Sequence, residues 1–296
     1  MPNSSTRVNV QPNDAATPTT RPRSNNLMTR IGTGLILLPL SLIILYLGGI
    51  AFAVMALLVI GIAALELNLI VTGKRYRPGV VLSLLIVIGG GLALYAGALV
   101  PWLLTMVGGS VLLFAVEWLL TDHEHRLRDA LVVVGFTLYM ALVTGMALIL
   151  RSHPAGILLW LLVFAGTWSM DTFSYIGGRT YGRHRLAPRI SPGKTVEGAI
   201  TGALAAIAIS ISLLIAANAL TPVTLILALG TPFADLAGDL LESLVKRMYG
   251  VKDSYIRWLN VIPGHGGVLD RIDGLVMVVN YCFVVLAFAG HWTIFP

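Results

Sequence analysis

The sequence predicts an all-α, polytopic integral membrane protein of about nine transmembrane helices with a cytoplasmic N-terminus. Three observations predict it. Hydrophobic residues make up 56% of the 296 positions and the mean hydropathy is +0.85. Charged residues are only 11% of the chain, against roughly 25% in soluble globular domains. The apolar residues also come in uninterrupted runs, such as Ile31–Leu47 and Ala130–Leu150. Runs of roughly 17–25 residues cross a ~30 Å hydrocarbon core as helices. They do not alternate, as the strands of a membrane barrel would.

Taken in order, residues 1–28 are rich in Ser, Thr, Asn and Pro and lack apolar periodicity. They predict a disordered cytoplasmic tail and not a signal peptide. The membrane domain follows over 29–296, with N-terminal helices in 29–150 and a catalytic part in 157–290. Its spans are expected near 30–48, 50–71, 79–98, 101–120, 130–150, 157–177, 198–218, 221–245 and 271–290. Only Val100–Pro101 divides the third span from the fourth.

With the N-terminus inside, the loops at 72–78, 121–129, 178–197 and 246–270 face the cytoplasm. Nineteen of the 20 Lys and Arg residues then fall on that side, and only Arg151 on the other. That asymmetry supports nine spans, because losing one would scramble the alternation. It also accounts for the net charge of +6 without nucleic acid. The single cysteine, Cys282, excludes an intrachain disulfide. No fixed-period repeat points to a transporter-style inverted repeat.

Three constellations stand out from this apolar background. The first is a stripe on the eighth span. At 100° per residue, Asp235, Asp239, Glu242, Ser243 and Lys246 share an arc of roughly 100°. Carboxylates a turn or more inside a span are costly and mark a functional site. Oxygen ligands suit Mg²⁺. The second is Pro263–Gly267 around His265, followed by Asp270, Arg271 and Asp273. The glycines let backbone approach a ligand closely. The two aspartates sit three apart at a helix N-terminus, where the dipole favours negative charge. The third is the loop after the sixth span, from Asp171 and Tyr175 through Arg179, Arg183 and Arg189 to Ser191, Lys194, Thr195 and Glu197. Its arginines, lysine, glycines and hydroxyls suit a triphosphate. Gly193–Thr195 is not a P-loop, since the glycine required five residues earlier is Pro188 and no strand is expected before it.

Glu66 and Glu117 lie late in apolar spans, where each either lines the site or is a satisfied buried carboxylate. The tryptophans read mostly as interface anchors.

The C-terminal half, about 170–275, resembles the phosphatidate cytidylyltransferase (CDP-diacylglycerol synthase) family. The resemblance rests on Ser243, Lys246–Arg247, Lys252–Asp253, Pro263–Gly267, Asp270–Arg271 and Asp273. Asp171, Tyr175, Gly178–Arg179, Ser191–Pro192, Lys194–Thr195 and Glu197–Gly198 extend it upstream. One departure is a longer stretch between Asp253 and His265, equivalent to four inserted residues.

The resemblance implies an enzyme of phospholipid synthesis: CTP and phosphatidate become CDP-diacylglycerol and pyrophosphate at the cytoplasmic face of the cell membrane. It implies Mg²⁺, with room for a second cation, on Asp239, Asp270 and Asp273, supported by Asp235 or Asp253. Lys246, Arg247 and Arg271 are expected to hold phosphate groups. His265 is expected to bind a phosphate oxygen or to protonate the leaving pyrophosphate. Arg179, Ser191, Lys194, Thr195, Ser243, Lys252, Gly266 and Gly267 are expected to contact substrate. Bilayer lipid and a homodimeric partner belong to the same expectation. Two alternatives stay open: a CTP-dependent kinase or cytidylyltransferase of another membrane lipid, and a cation or phosphate transporter.

Overall fold

The computed structural model describes residues 36–72, 78–120, 125–254 and 267–290. The expected tail at 1–28 lies outside them, as do Arg257, Pro263, Gly264, His265 and Gly266. The described chain is almost wholly helical. It begins with α1 (Ile36–Leu47), an apolar helix shorter than a full span. Eight helical stretches long and apolar enough to cross a membrane follow. In the first half these are α2 (Gly49–Val71), α3 (Pro78–Tyr95), the composite Leu99–Leu120 and α6 (Arg126–Ser152). In the second half they are α7 (Gly156–Tyr181), α8 (Val196–Ala216), α9 (Pro222–Met248) and α10 (Leu269–Phe288).

The Leu99–Leu120 stretch consists of α4 (Leu99–Leu103), a π-helical turn at Leu104–Gly108 and α5 (Gly109–Leu120). The break before it falls at 96–98, earlier than the expected Val100–Pro101. Gly97 supplies the positive φ of 64° that ends α3. Pro101 is accommodated in the first turn of α4, where its missing N–H costs nothing.

Helices α2, α3 and α6 form one packed group, and α7 to α10 a second. Contacts of α2 and α6 with α10, and of α6 with α7, join the groups. One aromatic contact crosses the seam, and another runs along α7. Phe52 of α2 meets Trp160 of α7 edge-on at 5.1 Å, and Phe164 stacks on Trp168 at 4.8 Å. Trp160 is therefore a buried core residue and not an interface anchor, because α7 turns that face onto α2.

The second group packs tightly where glycines face each other. At Gly238 of α9 a Cβ would strike the Asp273 carbonyl and stand 3.0 Å from the Gly274 Cα of α10. The close approach brings carboxylates of α9 and α10 side by side.

The segment expected as a loop at 178–197 has more structure. Helix α7 continues to Tyr181, so Arg179 sits on a helix. Beyond it β1 (Arg185–Ala187) and β2 (Ser191–Thr195) pair antiparallel, Arg185 opposite Thr195 and Ala187 opposite Ser191. The Ile190 N–H donates to the Ala187 carbonyl at 3.1 Å, closing a four-residue turn with Pro188 second. That is the position where a proline's fixed φ favours a turn.

Candidate active site

The stripe on α9 faces inward as its periodicity requires. Asp235, Glu242, Ser243 and Lys246 are buried, whereas Leu241, Leu244 and Met248 on the opposite side are exposed. Helix α9 begins at a capping box in which Thr221 and Thr224 serve each other's backbone, with Pro222 at its first turn. The polar stripe lies towards its C-terminal end.

Four carboxylates gather where α7, α9 and α10 meet. Asp171, Asp235, Asp239 and Asp273 each lie within electrostatic range of the other three. Asp235 presses against Gly274, where a Cβ would collide with its Oδ1. That Oδ1 is buried and accepts no hydrogen bond. Asp239 pairs with Lys194 from β2 and accepts a 3.4 Å hydrogen bond from the Ser243 hydroxyl. Asp273 Oδ1 takes the Gly274 N–H at 2.9 Å. Lys194 also acts on Asp171 and Asp235, and Arg271 on Asp171.

Among the described residues no three His, Cys, Asp or Glu side chains form a finished metal cage. The donor chemistry nevertheless fits a hard cation. The groups are acceptor-only carboxylates, and one buried oxygen lacks a partner. Buried polar groups are normally paired, so this exception needs an explanation.

Asp270 is placed differently from the other predicted ligands. Its carboxylate accepts the Ser254 N–H and the Gly267 N–H at 3.1 Å, and the Lys246 ammonium at 2.8 Å. Lys246 also meets Glu242 at 2.5 Å. Asp270 thus organises backbone and a buried ion-pair chain. Asp253 and Lys252 are exposed on the segment after α9.

Beside the carboxylates lies a cavity of about 540 Å³ between α7, the hairpin and the start of α8. Asp171, Arg179, Arg183, Arg185, Lys194 and Thr195 line it. This volume falls within the range of small-molecule sites, roughly 300–1,000 Å³. Arg179 is steadied by Tyr175, whose hydroxyl accepts from it at 2.9 Å. The Thr195 hydroxyl accepts the Gly198 N–H at 3.2 Å and so caps α8. Ser191, half-buried, begins β2. Glu197 anchors the hairpin through the Arg183 and His184 N–H groups and the His184 ring. Arg247 ties α9 to the hairpin by donating to the Ile190 carbonyl at 3.1 Å. Gly267 is buried.

The structure therefore brings together Asp235, Asp239, Asp273, Lys194 and Arg179, and separately Lys246, Asp270 and Ser254. One contributor went unassigned in the sequence reading, and one was left between two readings. Asp171 belongs to the carboxylate group, and its signal was its place at the head of the third constellation. Glu66 proves to be a satisfied buried carboxylate, 1% exposed, bonded to the start of α10.

The sequence profile of the cytidylyltransferase family matches residues 28–289. The phosphatidate cytidylyltransferase of Brucella abortus biovar 1 (strain 9-941) is 36% identical over 257 residues, covering 85% of this chain and 90% of that protein. The phosphatidate cytidylyltransferase of Pseudomonas aeruginosa PAO1 is 33% identical, over 64% of this chain and 73% of that protein. The phosphatidate cytidylyltransferase of Thermotoga maritima is 42% identical over a shorter stretch, 42% of this chain and 47% of that protein.

Proposed function

This chain belongs to the cytidylyltransferase family, and from that premise we propose that it transfers the cytidylyl group of CTP to phosphatidate. The products are CDP-diacylglycerol and pyrophosphate, and the reaction runs at the cytoplasmic face of the cell membrane. One observation carries the reading. A group of four carboxylates, one with an unpartnered buried oxygen, adjoins a cavity lined by Arg179 and Lys194. Counted over the eight spans from α2 onward, 15 of 16 Lys and Arg residues fall on one side and Arg151 alone on the other, which supports the cytoplasmic assignment.

A phosphate oxygen of phosphatidate attacks the α-phosphorus of CTP. The bond from that phosphorus to the bridging oxygen breaks, and pyrophosphate leaves with the electron pair. The attacking oxygen is anionic at neutral pH, so no strong base is needed. The obstacle is like charge, which positive groups must offset. Arg179 and Lys194 are placed to hold phosphate oxygens in the cavity. Lys246, held between Glu242 and Asp270, brings a fixed positive charge to the end of the α9 stripe. Asp235, Asp239 and Asp273, with Asp171, would hold Mg²⁺, which when bound supplies Lewis-acid neutralisation of phosphate charge. Asp270 serves in this reading as the group that fixes Lys246 and the neighbouring backbone.

The test uses purified full-length protein in detergent with cytidine-labelled CTP, Mg²⁺ and phosphatidate. Label is expected in the lipid phase, with one pyrophosphate released per label. Label transferred only to another lipid such as a polyprenol, or no transfer at all, would overturn the proposal.

A further inference from the structure

We infer that Glu66 is a positioning residue for the transfer site: from α2 it holds the first turn of α10 and Ser254, and through them sets Asp270 and Lys246. The inference rests on the function proposed above.

Helix α10 begins without a cap of its own, since Val268 at that position has no side-chain acceptor. The first N–H groups of a buried helix need partners from elsewhere. Glu66 supplies them across about two hundred residues of chain, accepting the Val268 N–H at 2.9 Å and the Leu269 N–H at 2.7 Å. The Ser254 hydroxyl donates to the same carboxylate at 3.1 Å. The next residue, Asp270, accepts the Ser254 and Gly267 N–H groups. Two carboxylates from opposite halves of the chain therefore grip the same two segments.

The grip leaves no room at Gly267. A Cβ there would strike the Ser254 hydroxyl and stand 2.7 Å from Glu66 Oε2. A glycine at that point is what lets the two segments close on Glu66. Because Asp270 directly follows the residues Glu66 holds, its carboxylate and the Lys246 ammonium at 2.8 Å inherit their placement from α2.

Another buried polar group of α2, Asn68, lies two residues on and so faces the opposite side of the helix, where it has a different use. Asn68 donates to Ser83 at 2.9 Å, and Ser83 meets Thr137 at 2.7 Å, tying α2 to α3 and α6. That network serves only packing among the first helices. It supplies a control: Ser83→Ala loosens α2 without touching α10.

The experiment compares wild type, Glu66→Gln, Ser254→Ala and Ser83→Ala as purified full chains. It measures cytidylyl transfer per folded molecule and amide hydrogen exchange along α10. Glu66→Gln keeps the shape but turns an amide donor towards backbone donors. Its turnover is expected to fall roughly tenfold or more, the scale set by small misplacements of reacting groups. Exchange at Val268 and Leu269 should quicken while Val278 and Val279 keep wild-type protection. Ser254→Ala removes one of the three hydrogen bonds to the carboxylate and should cost roughly tenfold, the scale of a hydrogen bond to a charged group. Ser83→Ala should leave turnover unchanged.

Turnover in both Glu66→Gln and Ser254→Ala equal to wild type would overturn the inference. So would faster exchange spread evenly along α10, which makes Glu66 a stability residue only. If Glu66→Gln does not fold, Ser254→Ala decides by the same two readings. Wild-type protein without transfer activity would instead defeat the proposed function, a result separate from either outcome for Glu66.

Discussion

Among the described residues, two of the buried carboxylates, Glu66 and Asp235, are satisfied in opposite ways. Between α2 and α10, Glu66 is 1% exposed and accepts three hydrogen bonds, two from backbone at a helix start. Where α7, α9 and α10 meet, Asp235 is 3% exposed, its Oδ1 has no partner, and it faces three further carboxylates. Burying an unpaired charge is among the most costly things a fold does. The first site repays that cost with its own donors and is architecture. The second leaves it open, as a site does when its ligand arrives from outside.

The largest effect expected from this contrast is at the open cluster. Asp239→Asn or Asp273→Asn should lower cytidylyl transfer roughly 100- to 1,000-fold, the several kcal/mol a metal contributes. Each should leave the thermal midpoint unchanged or higher, because like charges are relieved. A lowered midpoint with transfer retained would reverse the contrast.

Lys246→Met comes next. It strands Glu242 and Asp270, and breaking a buried pair costs about 3–5 kcal/mol. A marked drop in thermal midpoint is expected together with loss of transfer. A midpoint within one or two degrees of wild type would show that the ion-pair chain is not structural.

Lys194→Ala should raise the KM for CTP by about tenfold, the scale of one charge-assisted phosphate contact. It also frees Asp239, so the midpoint should fall little. An unchanged KM would remove Lys194 from the nucleotide.

The smallest effect concerns a second tether. Tyr249, just past α9, donates to Asp129 of α6 at 2.9 Å. Burial and the neighbouring carboxylate push the Tyr249 pKa up, so it remains a donor. Tyr249→Phe should cost about 1 kcal/mol of stability, with transfer within about twofold of wild type. Loss of transfer without loss of stability would move Tyr249 into the site.

The helical class and the bounds of α2, α6, α8 and α9 were legible because apolar length and loop charge are one-dimensional signals. The inward stripe on α9 was equally so, since helical spacing alone places Asp235, Asp239, Glu242, Ser243 and Lys246 together. Three things were not. The hairpin at 185–195 is too short to show alternation, and only Pro188 marked its turn. The burial of Trp160 depends on which neighbour α7 meets, and spacing does not say. Glu66 stayed between two readings, and the backbone partners of Asp270 went unseen, for a shared reason. A carboxylate that ligates a cation and one that accepts backbone N–H groups are the same residue type. Only the partners tell them apart, and for Glu66 those partners lie across the whole chain.

The most direct measurement is the thermal midpoint of purified protein with and without Mg²⁺, substrates absent, for wild type and Asp235→Asn. A ligand that binds only the folded state raises its stability. The expected result is a midpoint several degrees higher with Mg²⁺ in wild type and little or no rise in the variant. A wild-type midpoint unmoved by Mg²⁺ would contradict the claim that the open carboxylate cluster awaits a cation.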